Sequence, residues 1–336
     1  MMLTAVLLFM TGLLFLVKGG DWFVDGAVGI AHRFQMPELL IGATVVSIGT
    51  TIPEVMVSTT SALKGSGGIA YGNAIGSIIC NTALIAAISM TFRPGPIDRK
   101  SIRLPLIMFY LSAGLYIIVS YTSGFFSRPL GCMLILMFLI YLTLSVLKAK
   151  KQSEVVNNLM ADETLGPEDE KKEKQAKNRT PIINEIGLLI VGAALIAVGA
   201  DLLVDNGTLI AVGMGVPESV VALTMVALGT SLPELITTIT SLKKGTGALA
   251  LGNVIGANLF NLVLVCGVSM TLAPFQLPVG KLLMGINSSL LVDLPVMLAV
   301  MLIMTVPALW KERLYRWQGI LLMIIYAAFC IYQIAI

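Results

Sequence analysis

Long apolar runs separated by short polar segments make up most of this 336-residue chain. Most runs hold about 20 or more residues, the length of an α-helix that crosses the hydrocarbon core of a bilayer. The pattern predicts an all-α integral membrane protein with ten transmembrane helices. The predicted spans are 2–31, 38–63, 69–91, 103–121, 129–147, 182–211, 218–242, 249–272, 293–310 and 317–335.

The charged residues divide the chain into two halves and predict its orientation. Segment 148–180 carries eight basic and seven acidic residues and almost no apolar clusters, so we interpret it as a solvated, disordered linker. Five predicted spans precede it in 1–147, and five follow it in 181–336. With the linker in the cytoplasm, eighteen Lys and Arg residues lie inside and three outside. The positive-inside rule then predicts a multi-pass protein of the plasma (inner) membrane, with both termini extracellular or periplasmic.

The two halves repeat one sequence pattern at a constant offset of 180 residues. Gly-Thr-Thr-Ile-Pro-Glu at 49–54 matches Gly-Thr-Ser-Leu-Pro-Glu at 229–234. With five spans in each half, the halves must insert in opposite directions. Inverted repeats with interrupted helices and a site at the membrane midplane are typical of secondary transporters. Further matches at this offset are Asp21 and Asp25 with Asp201 and Asp205, Lys64-Gly65 with Lys244-Gly245, and Gly72-Asn73 with Gly252-Asn253.

Each copy of the motif places a proline and a glutamate inside a predicted span. A proline within a helix leaves the carbonyl four residues earlier without its hydrogen bond. We therefore predict that helices 2 and 7 are broken at Pro53 and Pro233. A carboxylate at membrane depth is costly and indicates a functional site, so Glu54 and Glu234 are the first candidates for one shared site.

Neutral oxygen donors accompany the glutamates on the next span of each half. Residues four apart share a helix face, so the two polar stripes are Asn73, Ser77 and Asn81, and Asn253, Ala257 and Asn261. Packing of each broken helix against a striped helix would collect two carboxylates with hydroxyls and amides, the hard ligands that calcium binds. The only histidine, His32, lies at a predicted helix end, and the four cysteines lack metal-site spacing. We therefore expect no enzymatic activity.

Four aspartates near predicted helix ends receive a structural interpretation instead. Lys18 is within reach of Asp21 or Asp25, which favours ion pairing over cation binding. The matching residues Asp201 and Asp205 are interpreted in the same way, as pairing or cavity-lining groups.

Together with Gly-Asn-Ala-Ile-Gly-Ser at 72–77 and Gly-Asn-Val-Ile-Gly-Ala at 252–257, the glutamate motifs resemble the alpha repeats of the cation/calcium exchanger superfamily. The prokaryotic sodium/calcium antiporter branch is the most similar, over nearly the whole chain. The resemblance implies a first alpha repeat in 1–147 and a second in 181–336, each with five helices. It implies calcium held by Glu54, Glu234 and the backbone carbonyls of Thr50 and Thr230. It implies sodium positions at Ser47, Thr50, Thr51, Ser77, Asn81, Ala227, Thr230, Ser231 and Asn261.

Two departures from that family pattern bear on the ions. Ala257 stands where many relatives have serine, so one sodium position lacks a hydroxyl. Asn261 stands where potassium-dependent relatives have aspartate, which argues against potassium dependence. The hydroxyls beside both glutamates favour sodium over protons as the coupling ion.

The expected function is secondary active antiport of calcium against sodium by alternating access. The alternative is a proton-coupled calcium exchanger in which protons neutralise Glu54 and Glu234. A cation channel is less favoured, because the charge pattern demands an inverted pair. We expect no cofactor and no nucleic-acid partner; the expected partners are membrane lipid and the transported calcium and sodium ions.

Overall fold

The computed structural model describes residues 2–34, 36–162, 181–213, 229, 231–278, 282–283 and 285–335. Within these residues the chain forms ten helices, in which a helix that continues through a π-helical turn is counted once. Their bounds are α1 Met2–Arg33, α2 Glu38–Leu63, α3 Gly67–Phe92, α4 Arg99–Thr122, α5 Arg128–Asp162, α6 Ile182–Gly213, α7 Leu232–Lys243, α8 Gly247–Leu272, α9 Ser289–Lys311 and α10 Arg316–Ala335.

Eight helices in the described residues are long and apolar enough to cross a membrane, which makes the chain an all-helical, multi-pass membrane protein. The other two are α7 and α10. The predicted span 218–242 lies partly outside the described residues, and the predicted span 317–335 corresponds to the 20-residue helix α10. Large apolar side chains such as Leu3, Leu14 and Ile190 are exposed on the outer faces of α1 and α6, as expected for helices in contact with lipid.

Helix α5 continues well beyond the predicted end of its span. The prediction of a disordered segment from residue 148 onward was wrong for residues 148–162, which are helical. Extending an existing helix requires no new nucleation, and the Lys, Gln, Glu, Leu and Met residues of this stretch are good helix formers. The rest of the predicted linker, 163–180, lies outside the described residues.

The two prolines occupy different helical positions. Pro53 lies within the helical stretch Ser47–Leu63, so the predicted break at this proline is absent. Membrane helices tolerate proline where neighbouring groups satisfy the freed backbone. The irregular part of α2 is instead the π turn Gly42–Val46. Pro233 lies in the first turn of α7, which begins at Leu232 after the non-helical Ser231, so its missing N–H costs no helical hydrogen bond. Residues 214–228 and 230 of the predicted helix 7 and its approach lie outside the described ranges, so a break within one continuous helix stays a prediction.

Helices α1 and α6 pack together along their length in opposite directions. Gly12 lies against Gly199 and Gly19 against Gly192; a Cβ atom added to Gly12 would stand 2.8 Å from the Gly199 carbonyl oxygen. Such small residues allow close approach of membrane helices. Gly12 matches Gly192 and Gly19 matches Gly199 at the 180-residue offset. This contact, which we call the glycine seam, therefore relates equivalent helices by an approximate twofold axis.

Helices α2, α3, α4, α5, α7 and α9 contact α8, whose side chains are almost all buried, and α10 packs against α3 and α9. Short antiparallel strand pairs connect the halves at both ends of the bundle. Gly95–Pro96, after α3, pairs with Arg313–Leu314, before α10. Phe125–Phe126, before α5, pairs with Phe275–Gln276, after α8. A third pair, Leu282–Leu283 with Ile286–Asn287, forms a hairpin within the second half.

Most of the basic residues collect at the end of the bundle marked by Gly95–Pro96, which we call the basic end. There the Lys148 Nζ donates to the Lys100 carbonyl at 2.5 Å, and the Arg316 Nε donates to the Thr91 carbonyl at 2.9 Å. Arg33 of α1 binds both carboxylate oxygens of Glu185 in α6, at 2.7 and 2.9 Å. These contacts join segments that the predicted topology places on one side of the membrane.

Candidate functional site

The two predicted glutamates lie in the centre of the protein. Glu54 comes from α2 and Glu234 from the first turn of α7, and both are 0% exposed. Their carboxylates lie within electrostatic range of each other. Among the described residues, none of the four carboxylate oxygens has a hydrogen-bond partner. Buried like charges without partners are strongly destabilising, so this pair requires a cation or protons.

Thr50 connects the carboxylate pair to the second half. Its hydroxyl lies beside the Glu234 carboxylate and donates to the Asn253 Oδ1 at 3.2 Å. The Ser47 hydroxyl is 3.0 Å from the Asn253 carbonyl and 2.6 Å from the Gly42 carbonyl. Both residues lie just after the π turn of α2, a feature frequent at functional sites. One wall of the site is therefore formed by α2 packed across the repeat boundary on α8.

That close packing depends on glycines in the two helices. A Cβ at Gly42 would stand 2.3 Å from the Leu249 carbonyl oxygen, and one at Gly252 would stand 2.1 Å from the Leu39 carbonyl oxygen. A Cβ at Gly256 would reach 2.2 Å from the Ser47 Oγ. No side chain fits at these positions, so Gly42, Gly252 and Gly256 allow the close approach of α2 and α8 that positions the site.

Further buried side-chain oxygen atoms in the helices around the glutamates lack hydrogen-bond partners among the described residues. Those at predicted site positions belong to Thr51 of α2, Asn81 of α3, Ser231 just before α7 and Asn261 of α8. Asn81 and Asn261 occupy equivalent positions, and each begins a π turn, Asn81–Ala86 and Asn261–Cys266. The Asn261 amide donates to the Ala257 carbonyl at 3.0 Å, which leaves its oxygen available as a ligand. Unpaired oxygen atoms in a buried site suit a cation.

The predicted site residues are thus only partly described. The structure brings Glu54, Glu234 and Thr50 together and connects Ser47 to them through Asn253. Ser77 is buried on α3. Thr230 and Ala227, predicted to contribute carbonyl or hydroxyl ligands, lie outside the described residues.

Two asparagines of the polar stripes have contacts that sequence spacing did not reveal. The Asn73 Nδ2 donates to the Ser58 Oγ at 2.8 Å and to the Glu54 carbonyl at 3.3 Å. The matching Asn253 accepts from Thr50 of the other half. The repeat offset identified the two residues as equivalents, and only the packing distinguishes their partners.

The aspartates of α1 pair with a lysine far away in the sequence. Lys244 Nζ lies 2.8 Å from the Asp25 Oδ1 and 3.7 Å from the Asp21 Oδ1, and it donates to the Asp21 carbonyl at 2.8 Å. The predicted partner Lys18 forms no ion pair in the described part of the chain. The structural interpretation of Asp21 and Asp25 stands, but the partner reaches them from the α7–α8 loop, whose position sequence spacing cannot give.

Comparison with known proteins identifies the family of this chain. The family model described as "Sodium/calcium exchanger protein" matches residues 4–147 and 184–335. The chain is 32% identical to the uncharacterized membrane protein MJ0091 of Methanocaldococcus jannaschii, and 29% identical to the sodium/calcium exchanger MaX1 of Methanosarcina acetivorans, over 97% of each chain in both cases. A solved structure of the sodium-calcium exchanger NCX_Mj superposes with a TM-score of 0.77 at 29% identity, covering 98% of each chain. The chain therefore belongs to the sodium/calcium exchanger family, a prokaryotic member of the cation/calcium exchanger superfamily of membrane transporters.

Proposed function

We propose that this protein is a secondary active antiporter that exchanges calcium for sodium by alternating access. The observation that carries the proposal is the pair of fully buried carboxylates of Glu54 and Glu234, unpaired among the described residues. One calcium ion or several sodium ions would neutralise the pair. Without them, repulsion at low dielectric disfavours passage between the inward- and outward-facing states. Movement in either direction then requires bound cations, which couples the two fluxes.

The proposed calcium position lies between Glu54 and Glu234, completed by the backbone carbonyls of Thr50 and Thr230. The closeness of Thr50 to the Glu234 carboxylate supports this arrangement. The proposed sodium positions use neutral oxygens, several of which are buried without a hydrogen-bond partner in the described residues. Those positions are Ser47, Thr50, Thr51, Ser77, Asn81, Ala227, Thr230, Ser231 and Asn261.

The proposed organisation is a first five-helix repeat in 1–147, a cytoplasmic linker in 148–180 and an inverted second repeat in 181–336, ten transmembrane helices in all. The antiparallel glycine seam supports the inversion. The positive-inside rule places the basic end in the cytoplasm and both termini outside.

Orientation can be measured with two exposed positions, Lys151 at the basic end and Ser123 at the other. Single cysteines there, in a protein lacking its native cysteines, are labelled in intact cells with an impermeant thiol reagent. We expect labelling at Ser123→Cys only. Labelling at Lys151→Cys only would reverse the orientation.

Sodium coupling is proposed from the hydroxyls beside the glutamates, and it agrees with the names of two similar proteins, the sodium/calcium exchangers MaX1 and NCX_Mj. Sodium-loaded vesicles containing the purified protein should accumulate radioactive calcium on dilution into sodium-free buffer. Vesicles loaded with potassium or choline at the same pH should not. Uptake driven by a pH gradient without sodium, and not by a sodium gradient at constant pH, would replace sodium coupling with proton coupling.

A further inference from the structure

Lys244 connects α1 to the α7–α8 loop at the basic end. Its ammonium group contacts Asp25, Asp21 and the Asp21 backbone carbonyl, at 2.8, 3.7 and 2.8 Å. One turn away, the Cβ position of Gly20 lies against Ile236 and Thr240 of α7. Here α1 is therefore held closely against the helices that contain the second glutamate motif.

The equivalent residues at the opposite end are Lys64, Asp201 and Asp205. All three lie in the described residues and are exposed, yet Lys64 forms neither an ion pair nor a hydrogen bond with either aspartate. The sequence therefore provides the same charged residues at both ends, but among the described residues the lysine pairs with the aspartates only at the basic end.

The loops that contain the two lysines do not explain this difference, because their backbones are nearly identical. Lys64 has φ −81° and ψ 5°, and Lys244 has φ −79° and ψ −1°. The glycine after each lysine has φ 81°. The same backbone hydrogen bond closes the turn in both loops. The Ser66 N–H donates to the Ser61 carbonyl, and the Thr246 N–H donates to the Ser241 carbonyl, each at 2.8 Å. Helix α1 packs more extensively on α7 than its equivalent α6 packs on α2, so the difference lies in the packing of these two helices.

We propose that these lysines and the aspartates facing them form an alternating ionic latch. In the state seen here Lys244 holds α1 at the basic end, and in the opposite-facing state of the transport cycle Lys64 holds α6 at the other end. The inference rests on the proposed alternating access. The glycine seam and the Arg33–Glu185 pair bind α1 firmly to α6. A movement of this pair that brings Asp201 and Asp205 to Lys64 would therefore draw Asp21 and Asp25 away from Lys244. Closure of one latch requires release of the other.

Cross-linking of cysteine pairs with a short bis-methanethiosulfonate reagent tests both ends in the full-length protein in proteoliposomes, because the long lysine side chain can span a wider gap than a direct disulfide. The two variants are Asp25→Cys with Lys244→Cys, and Asp205→Cys with Lys64→Cys, each in a protein whose native cysteines are replaced by alanine. Each pair spans the two halves, so a protease site inserted in 163–180 separates the halves on a gel unless the cross-link has formed. The control is Lys64→Cys with Lys244→Cys, whose positions lie at opposite ends.

We expect both test pairs to be cross-linked by the reagent and the control pair not to be. Each cross-link should abolish calcium uptake, and a reductant should restore it. Lys244→Gln should accelerate cross-linking of the 64/205 pair by about threefold, the size expected for loss of a solvent-accessible ion pair. The latch would be refuted if the cysteines at positions 64 and 205 failed to cross-link in all three conditions, with sodium, with calcium and without either ion. Transport that continues in a cross-linked protein would refute it as well. Calcium uptake by the reduced protein tests the exchanger function separately.

Discussion

Replacement of Glu234 by glutamine tests the shared site most directly. Glutamine keeps the shape and one ligand oxygen but removes a charge that is 0% exposed and has no hydrogen-bond partner in the described residues. Two opposite unit charges about 4 Å apart attract each other with about 4 kcal/mol at an effective dielectric constant of about 20. A calcium ion would lose about 8 kcal/mol of attraction and a sodium ion about 4 kcal/mol. If the amide dipole and relaxation return roughly half, calcium affinity falls about 1,000-fold and sodium affinity about 30-fold.

Calcium binding to the purified protein and calcium uptake into sodium-loaded vesicles are the two measurements. Glu312→Gln provides a matched control, because it makes the same chemical change at an exposed residue between α9 and α10. Equal elution on size-exclusion chromatography confirms that both variants are folded. A Glu234→Gln protein that binds and exchanges calcium like the wild type would refute the shared site.

Four further substitutions test the surroundings of the site and one helix end. Asn261→Asp would add a third buried carboxylate, so calcium uptake should become dependent on pH between about pH 6 and about pH 9; an unchanged pH profile would place Asn261 outside the site. Thr50→Val should raise the sodium concentration for half-maximal exchange more than the calcium concentration, and Asn253→Ala should do the same if its role is to position Thr50; equal effects on both ions would contradict this. Asp98 is the N-cap of α4, and its partial burial alone would raise its pKa. Hydrogen bonds from the Ser101 hydroxyl and from two backbone N–H groups, together with the charge of a nearby lysine, nevertheless hold the pKa below its usual value. Asp98→Ala should therefore lower the free energy of unfolding by about 1 kcal/mol at neutral pH, and by less as the pH falls through that lowered pKa. Thermal unfolding at several pH values measures this loss, and a loss independent of pH would contradict the role of the charge.

The helices themselves were largely predictable, because lipid requires long apolar segments with internally satisfied backbones. Span 103–121 corresponds to Arg99–Thr122, and span 249–272 to Gly247–Leu272. The repeat offset also identified Glu54 and Glu234 as equivalent candidates, and the structure brings them together. The helix predictions succeeded because one local property, hydrophobicity, determines where a chain can cross the membrane, whereas the role of the two glutamates stays a prediction.

The sequence interpretation failed where contacts between distant segments decide the structure. Helix α2 continues through Pro53, and its π turn at Gly42–Val46 lies where Gly42 packs closely against α8. Lys244 reaches Asp25 only because the α7–α8 loop lies beside α1, 219 residues from it in the chain. Neither the proline rule nor the spacing of charges contains that information.

The partners of Asn73 and Asn253 show a further reason why a repeat does not by itself define a site. The side-chain amide of Asn73 donates to the backbone carbonyl of Glu54. Asn253 instead accepts a hydrogen bond from the Thr50 hydroxyl, which lies beside the carboxylate of Glu234. The two glutamates are equivalent in the sequence but are held differently in this state. If the halves exchange roles during transport, each asparagine must adopt the contacts that its counterpart has here. Substitutions of the two glutamates should then have similar effects on complete transport cycles and different effects on ion binding in any single state.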